Sequence, residues 1–453
     1  MKKLMMHTKR TFFSNRILQL LIFLIIPVIS GLLVINNSLI TILILFVCWL
    51  LFFLRNKHEY IYVFLILIST NIGWLFGHSL RYPLSYINFL VLPVILSTLV
   101  YKKKIKIDKY DLIIIYFLLL SCTSIFKTSF FDGQPIEKGL KVAAIDFFVM
   151  FYFYFRYADI RIEKVINAIN IFGFIVSLII VYASFSRSQY LFDAAFLEPS
   201  TRLFIVRFHI GIPLIGFCTI YNFIQYFEKD NKQYLLVFFY YVAIIIFIMQ
   251  TRIMIFALFF TIVLIYYNKL KKVNYMHIIG GIIILLIVAV QIVDKNTLIN
   301  KYFSLTKNEI TGYSKHLNSY TARKNSHNFF LNELSEHLIL GRGEFWGDFE
   351  KNETRYRGYN VYISDLGIFS IIYIHGLLGL IWLFIFIKIV FSLRNDKINN
   401  QFCYYFFIFC FIAGLTLDFF TDTKNELFTF LIFSIYCRTF NINSQKQIES
   451  IEK

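Results

Sequence analysis

The stretch Val237–Tyr267, VFFYYVAIIIFIMQTRIMIFALFFTIVLIYY, decides how this chain is laid out. It is apolar almost throughout, with Arg252 near its middle and neither Gly nor Pro to mark a turn. A single helix from Tyr234 to Tyr267 would be about 50 Å long, against a bilayer hydrocarbon core of about 30 Å. It would also invert the placement of everything after it. Two spans joined at Thr251–Arg252 remove both conflicts. The segments YKKKIKIDKY, RYADIRIEK, NKLKKVNY and SLRNDKINN then fall on the same side as the basic N-terminus MKKLMMHTKRTFFSNR. That sorting agrees with the enrichment of Lys and Arg on the cytoplasmic side. Arg252 is thereby expected at the outer end of a tight helical hairpin.

The rest of the chain has the same character. Of 453 residues, 58% are hydrophobic, and the formal net charge is +18. Apolar runs recur from end to end, and between them no stretch is long enough for a soluble domain of about 100 residues. The expected fold is an all-α polytopic integral membrane protein. It has about 12–14 transmembrane helices, a range set by runs that fall short of about 20 residues. Residues 1–453 form a single transmembrane domain. The N-terminal segment reads as a retained first helix, since no small-residue cleavage site follows it. Both termini are expected in the cytoplasm. The six cysteines lie in or beside apolar runs, which suits small buried residues and not a disulfide framework.

Two outer segments stand out: an outer loop at 186–207 and a large one at 294–365. In the larger, SHNFFLNELSEHLILG places Phe330, Leu331, Leu334 and Leu338 at helical spacing. Ser326 would cap its start and Gly341 would stop it, which predicts a short amphipathic helix. Prolines occur only in the first half of the chain. A transporter of two matched halves with broken helices is disfavoured by that asymmetry.

Several chemistries are absent from the sequence. There is no GxxxxGK[ST] phosphate loop, no HExxH, and no DxD pair to hold a metal and a sugar nucleotide. No metal, cofactor or nucleic-acid partner is expected. What remains is a set of outer arginines: Arg187, Arg202, Arg207, Arg252, Arg323, Arg342, Arg355 and Arg357. Guanidinium forks grip phosphate oxygens and keep their charge. Arg187, Arg355 and Arg357 read as solvated loop charges. Aromatic faces nearby, including Trp346 and Tyr359, suit sugar rings but also suit an interfacial belt, the commoner use. Asp146 and Asp418, in or near spans, read equally as functional groups or as paired structural charges. His375 reads as a packing histidine with its hydrogen bonds satisfied.

Four stretches resemble the O-antigen polymerase and ligase superfamily, the Wzy-like polymerases and WaaL-like ligases that join bacterial glycans. IMQTRIMIFAL resembles the family's arginine turn between two central spans, with Arg252 as its arginine. TARKNSHNFFLNELSEHLILGRGEF resembles the outer-loop pattern of an arginine, a helix and a glycine turn, matched by Arg323, Gly341, Gly343 and Phe345. SDLGIFSIIYIHGLLGLIWLF resembles the closing motif, matched by Gly376 and Gly379. STRLFIVRFHIGIP resembles the arginine region ahead of the mid-chain spans. The likeness covers about Ser186 to Leu393. Many members have His–Asn before the closing glycines, where this chain has Ser364–Asp365, and that departure tilts the reading from ligase toward polymerase.

The resemblance implies metal-independent, inverting glycosyl transfer at the outer face of a bacterial cytoplasmic membrane. The product would be O-antigen or capsule-type polysaccharide. The substrate would be an undecaprenyl-diphosphate-linked oligosaccharide in membrane lipid, with a chain-length regulator and a flippase as partners. Arg252, Arg207 and Arg323, backed by Arg202 and Arg342, would bind the diphosphate, and the first three would also stabilise it as leaving group. Asp365 would be the base, with His337 and His209 behind it, and Trp346, Tyr359 and His209 would face sugar. A ligase for finished polymer is one alternative, and a flippase of lipid-linked sugars is an alternative of another class.

Overall fold

The computed structural model describes residues 107–143, 146–157, 161–186, 211–249, 251–269, 319–345, 355–356, 359–360, 363–395, 401–420 and 425–451. The first spans, the outer loop at 186–207 and the run 278–293 lie outside these described residues.

The chain begins with α1 (Lys109–Phe130), α2 (Ile136–Ala143), a 3-10 turn (Asp146–Met150), α3 (Phe151–Tyr157) and α4 (Ile162–Ser186). Next are α5 (Ile212–Lys229), α6 (Lys232–Ala243) running on as a π-helical segment (Ile244–Met249), and α7 (Arg252–Lys269). Then come α8 (Ser319–Glu336), a minimal hairpin pairing Arg355–Tyr356 with Tyr359–Asn360, and a 3-10 turn (Ile363–Phe369). The last helices are α9 (Ser370–Ser392), α10 (Gln401–Ala413) and α11 (Glu426–Ile451). Among the described residues, five helical segments are long and apolar enough to cross a membrane. The chain is thus predominantly helical, with the composition of a membrane-embedded protein.

The apolar run around Arg252 is two helices. Lys232–Met249 and Arg252–Lys269 are each 18 residues, about 27 Å of helix, which matches one bilayer core apiece. Thr251 sits in the break, its backbone carbonyl accepting from Ile255 N at 3.1 Å to start α7. The preceding hairpin is written more openly. Asp230 takes the left-handed conformation at φ 48°, and Asn231 caps α6 by accepting from Gln233 N at 2.9 Å.

Other boundaries differ from the sequence reading. The apolar run Val142–Phe155, which by composition alone would read as a single span, divides among α2, the 3-10 turn and α3. The amphipathic helix begins at Ser319, so Ser326 is an interior residue, buried, and not its cap. Its packed face is Phe329, Phe330 and Leu334, set against Leu366, Tyr373 and Ile374. Leu331 and Leu338 are exposed instead. A helix resting on a single kinked neighbour needs only a narrow apolar stripe.

The core is aromatic. Phe217 of α5 meets Phe402, Phe406 and Phe428 edge-on, and Phe386 of α9 packs on Phe407, Phe430 and Phe433. Among lipids, helices associate by close packing and internal hydrogen bonds more than by water exclusion. Two features serve this. Gly216 lets the Phe409 ring lie against the α5 backbone, and the Trp382 indole donates to Ile113 O at 2.9 Å.

Polar pairs mark the two ends of the bundle. At one end Asn268 donates to the Tyr405 hydroxyl at 2.8 Å and Lys269 faces Glu228 at 3.5 Å. At that end too, Arg156 is gripped by both Asp108 and Asp111 beside Tyr152. At the other end, α8 and the loops after it meet the C-terminal end of α1 and the start of α9.

Candidate functional site

The site is built on a break in α9. Gly376 adopts φ 63°, ψ −147°, which no L side chain takes readily, and the helix kinks there. The kink frees carbonyls that a straight helix would use itself. Into it docks the turn Leu338–Gly343, carrying its own glycines at φ 70° (Gly341) and φ 87° (Gly343). Arg342 N donates to Tyr373 O at 2.6 Å and Gly343 N to Ile374 O at 3.0 Å, while Leu377 N donates to Leu338 O at 2.8 Å. The backbones touch: a Cβ on Gly341 would collide with Gly376 N, and one on Gly376 with Gly341 N. The GRG turn and the closing glycine motif are therefore two halves of one clasp.

The clasp positions an ionic cluster. Arg342 Nη1 lies 2.6 Å from His337 Nε2 and 3.8 Å from Asp132 Oδ1, and its Nε lies 3.5 Å from Glu333 Oε2. From α1, Lys127 donates to Arg342 O at 2.8 Å and faces Asp132 Oδ2 at 3.8 Å. Ser124 Oγ accepts from Glu344 N at 2.9 Å, so α1 holds the turn at two points. A guanidinium only donates, so Nε2 of His337 must accept and the imidazole is neutral, with its proton on Nδ1. Burial, and then the positive charges of Lys127 and Arg342, hold His337 below its ordinary pKa, with Asp132 and Glu336 pulling the other way. The lone pair that a general base would use is thus occupied by Arg342. Arg342 in turn is balanced by two carboxylates, which an incoming phosphate would have to displace.

Arg252 opens α7, half-buried, three positions after Met249, where the π-helical segment ends. π-Segments recur at functional sites, and each shifts the helical register of the residues beyond it. The contacts that define the ionic cluster do not include Arg252. Arg323 stands on α8, 14 residues before His337, so the two backbones are about 20 Å apart along the helix axis. Arg323 and Arg342 therefore serve opposite ends of α8. Asp365 lies in the 3-10 turn that enters α9, and Tyr359 on the second strand of the hairpin. Arg202, Arg207, His209 and Trp346 lie outside the described residues.

Sequence reasoning did not single out Lys127, Asp132, Glu333 or Glu426. Asp146 and Asp418 turn out to share one buried location with Glu426, where Asp146 faces Ser121 and Glu426. Asp418 also caps the local chain, accepting from Phe420 N at 3.0 Å. The three are 3%, 5% and 1% exposed, too enclosed to meet a sugar. His375 is buried as expected but is not satisfied: neither ring nitrogen makes a hydrogen bond of good geometry, although the Leu120 backbone lies near, and the ring meets Phe117 edge-on. Among the described residues no cluster of His, Cys, Asp and Glu could hold a metal ion.

The class defined by these features is a predominantly helical protein of membrane-embedded composition, with a basic-acidic cluster clasped at one end of its described bundle. No protein-family model matches the chain, and no curated protein matches it.

Proposed function

We propose that the chain is a polysaccharide polymerase of the O-antigen or capsule type. It joins undecaprenyl-diphosphate-linked repeat units at the outer face of a bacterial cytoplasmic membrane, with both termini inside. The observation that carries this reading is the clasp. The two glycine motifs on which the resemblance rests, some 35 residues apart, are a single built element that presents Arg342 and His337.

In the proposed reaction a hydroxyl of the acceptor's terminal sugar attacks the donor anomeric carbon. The bond from that carbon to the diphosphate oxygen breaks, the carbon inverts, and undecaprenyl diphosphate departs. Cationic groups placed where charge develops supply most of the acceleration. Arg252 fills that role at its hairpin turn, with Arg207 and Arg202. Arg323, at the far end of α8 from Arg342, engages a different part of the substrate from Arg342. Asp365 takes the hydroxyl proton, because His337 has no lone pair to spare. Trp346, Tyr359 and His209 face sugar. A chain-length regulator and a flippase are the expected partners.

The test is elongation of purified lipid-linked repeat units in detergent, where no two sides exist to transport between. Wild type should give a ladder of chain lengths. Arg252→Ala should abolish it at unchanged protein level, and Arg252→Lys should restore little, because a lysine cannot grip bidentately. A single transfer per acceptor would identify a ligase instead. No elongation at all by intact protein would leave the flippase reading standing.

A further inference from the structure

A cavity of about 170 Å3 opens at the end of the bundle opposite the clasp, lined by Asn268, Arg394, Gln401 and the tyrosines Tyr404, Tyr405 and Tyr436. Its walls are firm, since all three tyrosines are buried. Its charge is one-sided. Among the described residues no carboxylate lines it and Arg394 makes no ion pair, resting instead 5.7 Å from the Tyr404 ring centroid. Other basic groups of the protein are answered differently: Arg156 by Asp108 and Asp111, Arg342 by Asp132 and Glu333, Lys269 by Glu228.

The polar groups inside the cavity are also turned toward a guest. The Tyr405 hydroxyl accepts from Asn268 at 2.8 Å, so its own proton is directed elsewhere. The Gln401 side-chain carbonyl is enclosed and makes no hydrogen bond. A half-turn of that amide would present its N–H groups instead. A guanidinium, a phenol and an amide are a donor set for phosphate oxygens.

A lipid fits better than a free ion. Phe391, exposed on α9, lies 5.8 Å from the Tyr404 ring, and Ile381, Phe384 and Ile385 continue the exposed apolar strip along the helix. We infer that this cavity binds the phosphate of an anionic phospholipid, with an acyl chain laid along that strip. On the loop-charge topology this is the cytoplasmic surface, where anionic lipids attract basic groups. The inference requires no glycan chemistry.

The test is native mass spectrometry of the full-length protein purified in detergent, titrated with phosphatidylglycerol, phosphatidylcholine or inorganic phosphate. Wild type should retain one phosphatidylglycerol, and Arg394→Ala should weaken that binding about tenfold, the loss of one charge-assisted contact. Arg394→Lys should fall between them. Arg394 is exposed, so its variants should elute from gel filtration like wild type. Equal retention by wild type and Arg394→Ala would overturn the inference, as would phosphatidylcholine binding as tightly as phosphatidylglycerol. Inorganic phosphate that competes at equal concentration would make this a free-anion site and overturn the lipid assignment.

Discussion

At the scale of single residues, the contact between His337 and Arg342 has a consequence for pH. At 2.6 Å a protonated imidazole and a guanidinium would present two donors to each other, so the contact exists only with His337 neutral. The folded protein holds this imidazole below its ordinary value of 6.5. Between the lowered folded pKa and the unfolded one, the unfolded chain carries the extra proton, so stability rises with pH. The contribution is fully present above about pH 6.5 and is lost as pH falls through the folded pKa. The apparent thermal midpoint, measured in detergent from pH 8 to pH 5, should therefore drop on the acid side. His337→Gln should flatten that part of the profile. An unchanged slope in the variant would show that His337 is not the group that titrates.

At the scale of elements, the clasp makes a sharper demand than backbone conformation alone. Gly376→Ala combines a positive φ of 63° with a collision against Gly341 N. Gly133 is a matched control, because its φ is 73° yet a Cβ there would meet nothing within 4 Å. Gly133→Ala should therefore cost only about 1 kcal/mol of left-handed strain, whereas Gly376→Ala should cost about 3 kcal/mol or more and lower both thermal midpoint and yield. Equal losses would mean that the clasp does not constrain the fold. The π-helical segment Ile244–Met249 offers a second test. Deleting Ile246 should restore α-helical register within α6 and turn Ile248 and Met249, the last residues before the break, by about 100° about that helix, shifting the turn from which Arg252 opens α7. The protein should still insert and elute as a single species, with elongation lost.

These elements also show what one sequence can and cannot reveal. The break before Arg252 was legible because helix length is a hard constraint in a bilayer. The glycine pairs were legible as motifs, but their meeting was not, since it rests on backbone hydrogen bonds that side-chain identity does not encode. Leu331 and Leu338 misled because a pattern gives a helix's apolar residues but not the width of the stripe its neighbour covers. Lys127 and Asp132 belong to no motif, and what gives them a role is their contact with Arg342, more than 200 residues further along the chain. Glu426 gave no signal at all, being far in sequence from the Asp146 that it faces.

At the scale of the whole molecule, the polar contacts sort the helix ends into two sets that alternate along the chain. Glu228, Lys269, Asn268, Arg394 and Gln401 share one end, and Lys127, the clasp and the Gly367–Gly414 contact share the other. Alternation of this kind is what successive crossings require, and it separates the ionic cluster from the Arg394 cavity by the thickness of the bundle. Which set faces outward rests on loop charge. Two exposed positions decide it: Ser335, near the end of α8, and Gln233, in the first turn of α6. A membrane-impermeant maleimide should label Ser335→Cys in intact cells and Gln233→Cys only after permeabilisation. The native Cys218, Cys403, Cys410 and Cys437 are buried, whereas Cys122 is only half-buried, so Cys122 and Cys48 are replaced by Ser in the background of both variants. The reverse pattern would put the clasp in the cytoplasm, where a lipid-linked donor emerging on the outer face could not reach Arg342, and the polymerase reading would fall with it. Labelling of both positions from one side would break the alternation itself, and the hairpin at Thr251–Arg252 would then have to be read as something other than a membrane turn.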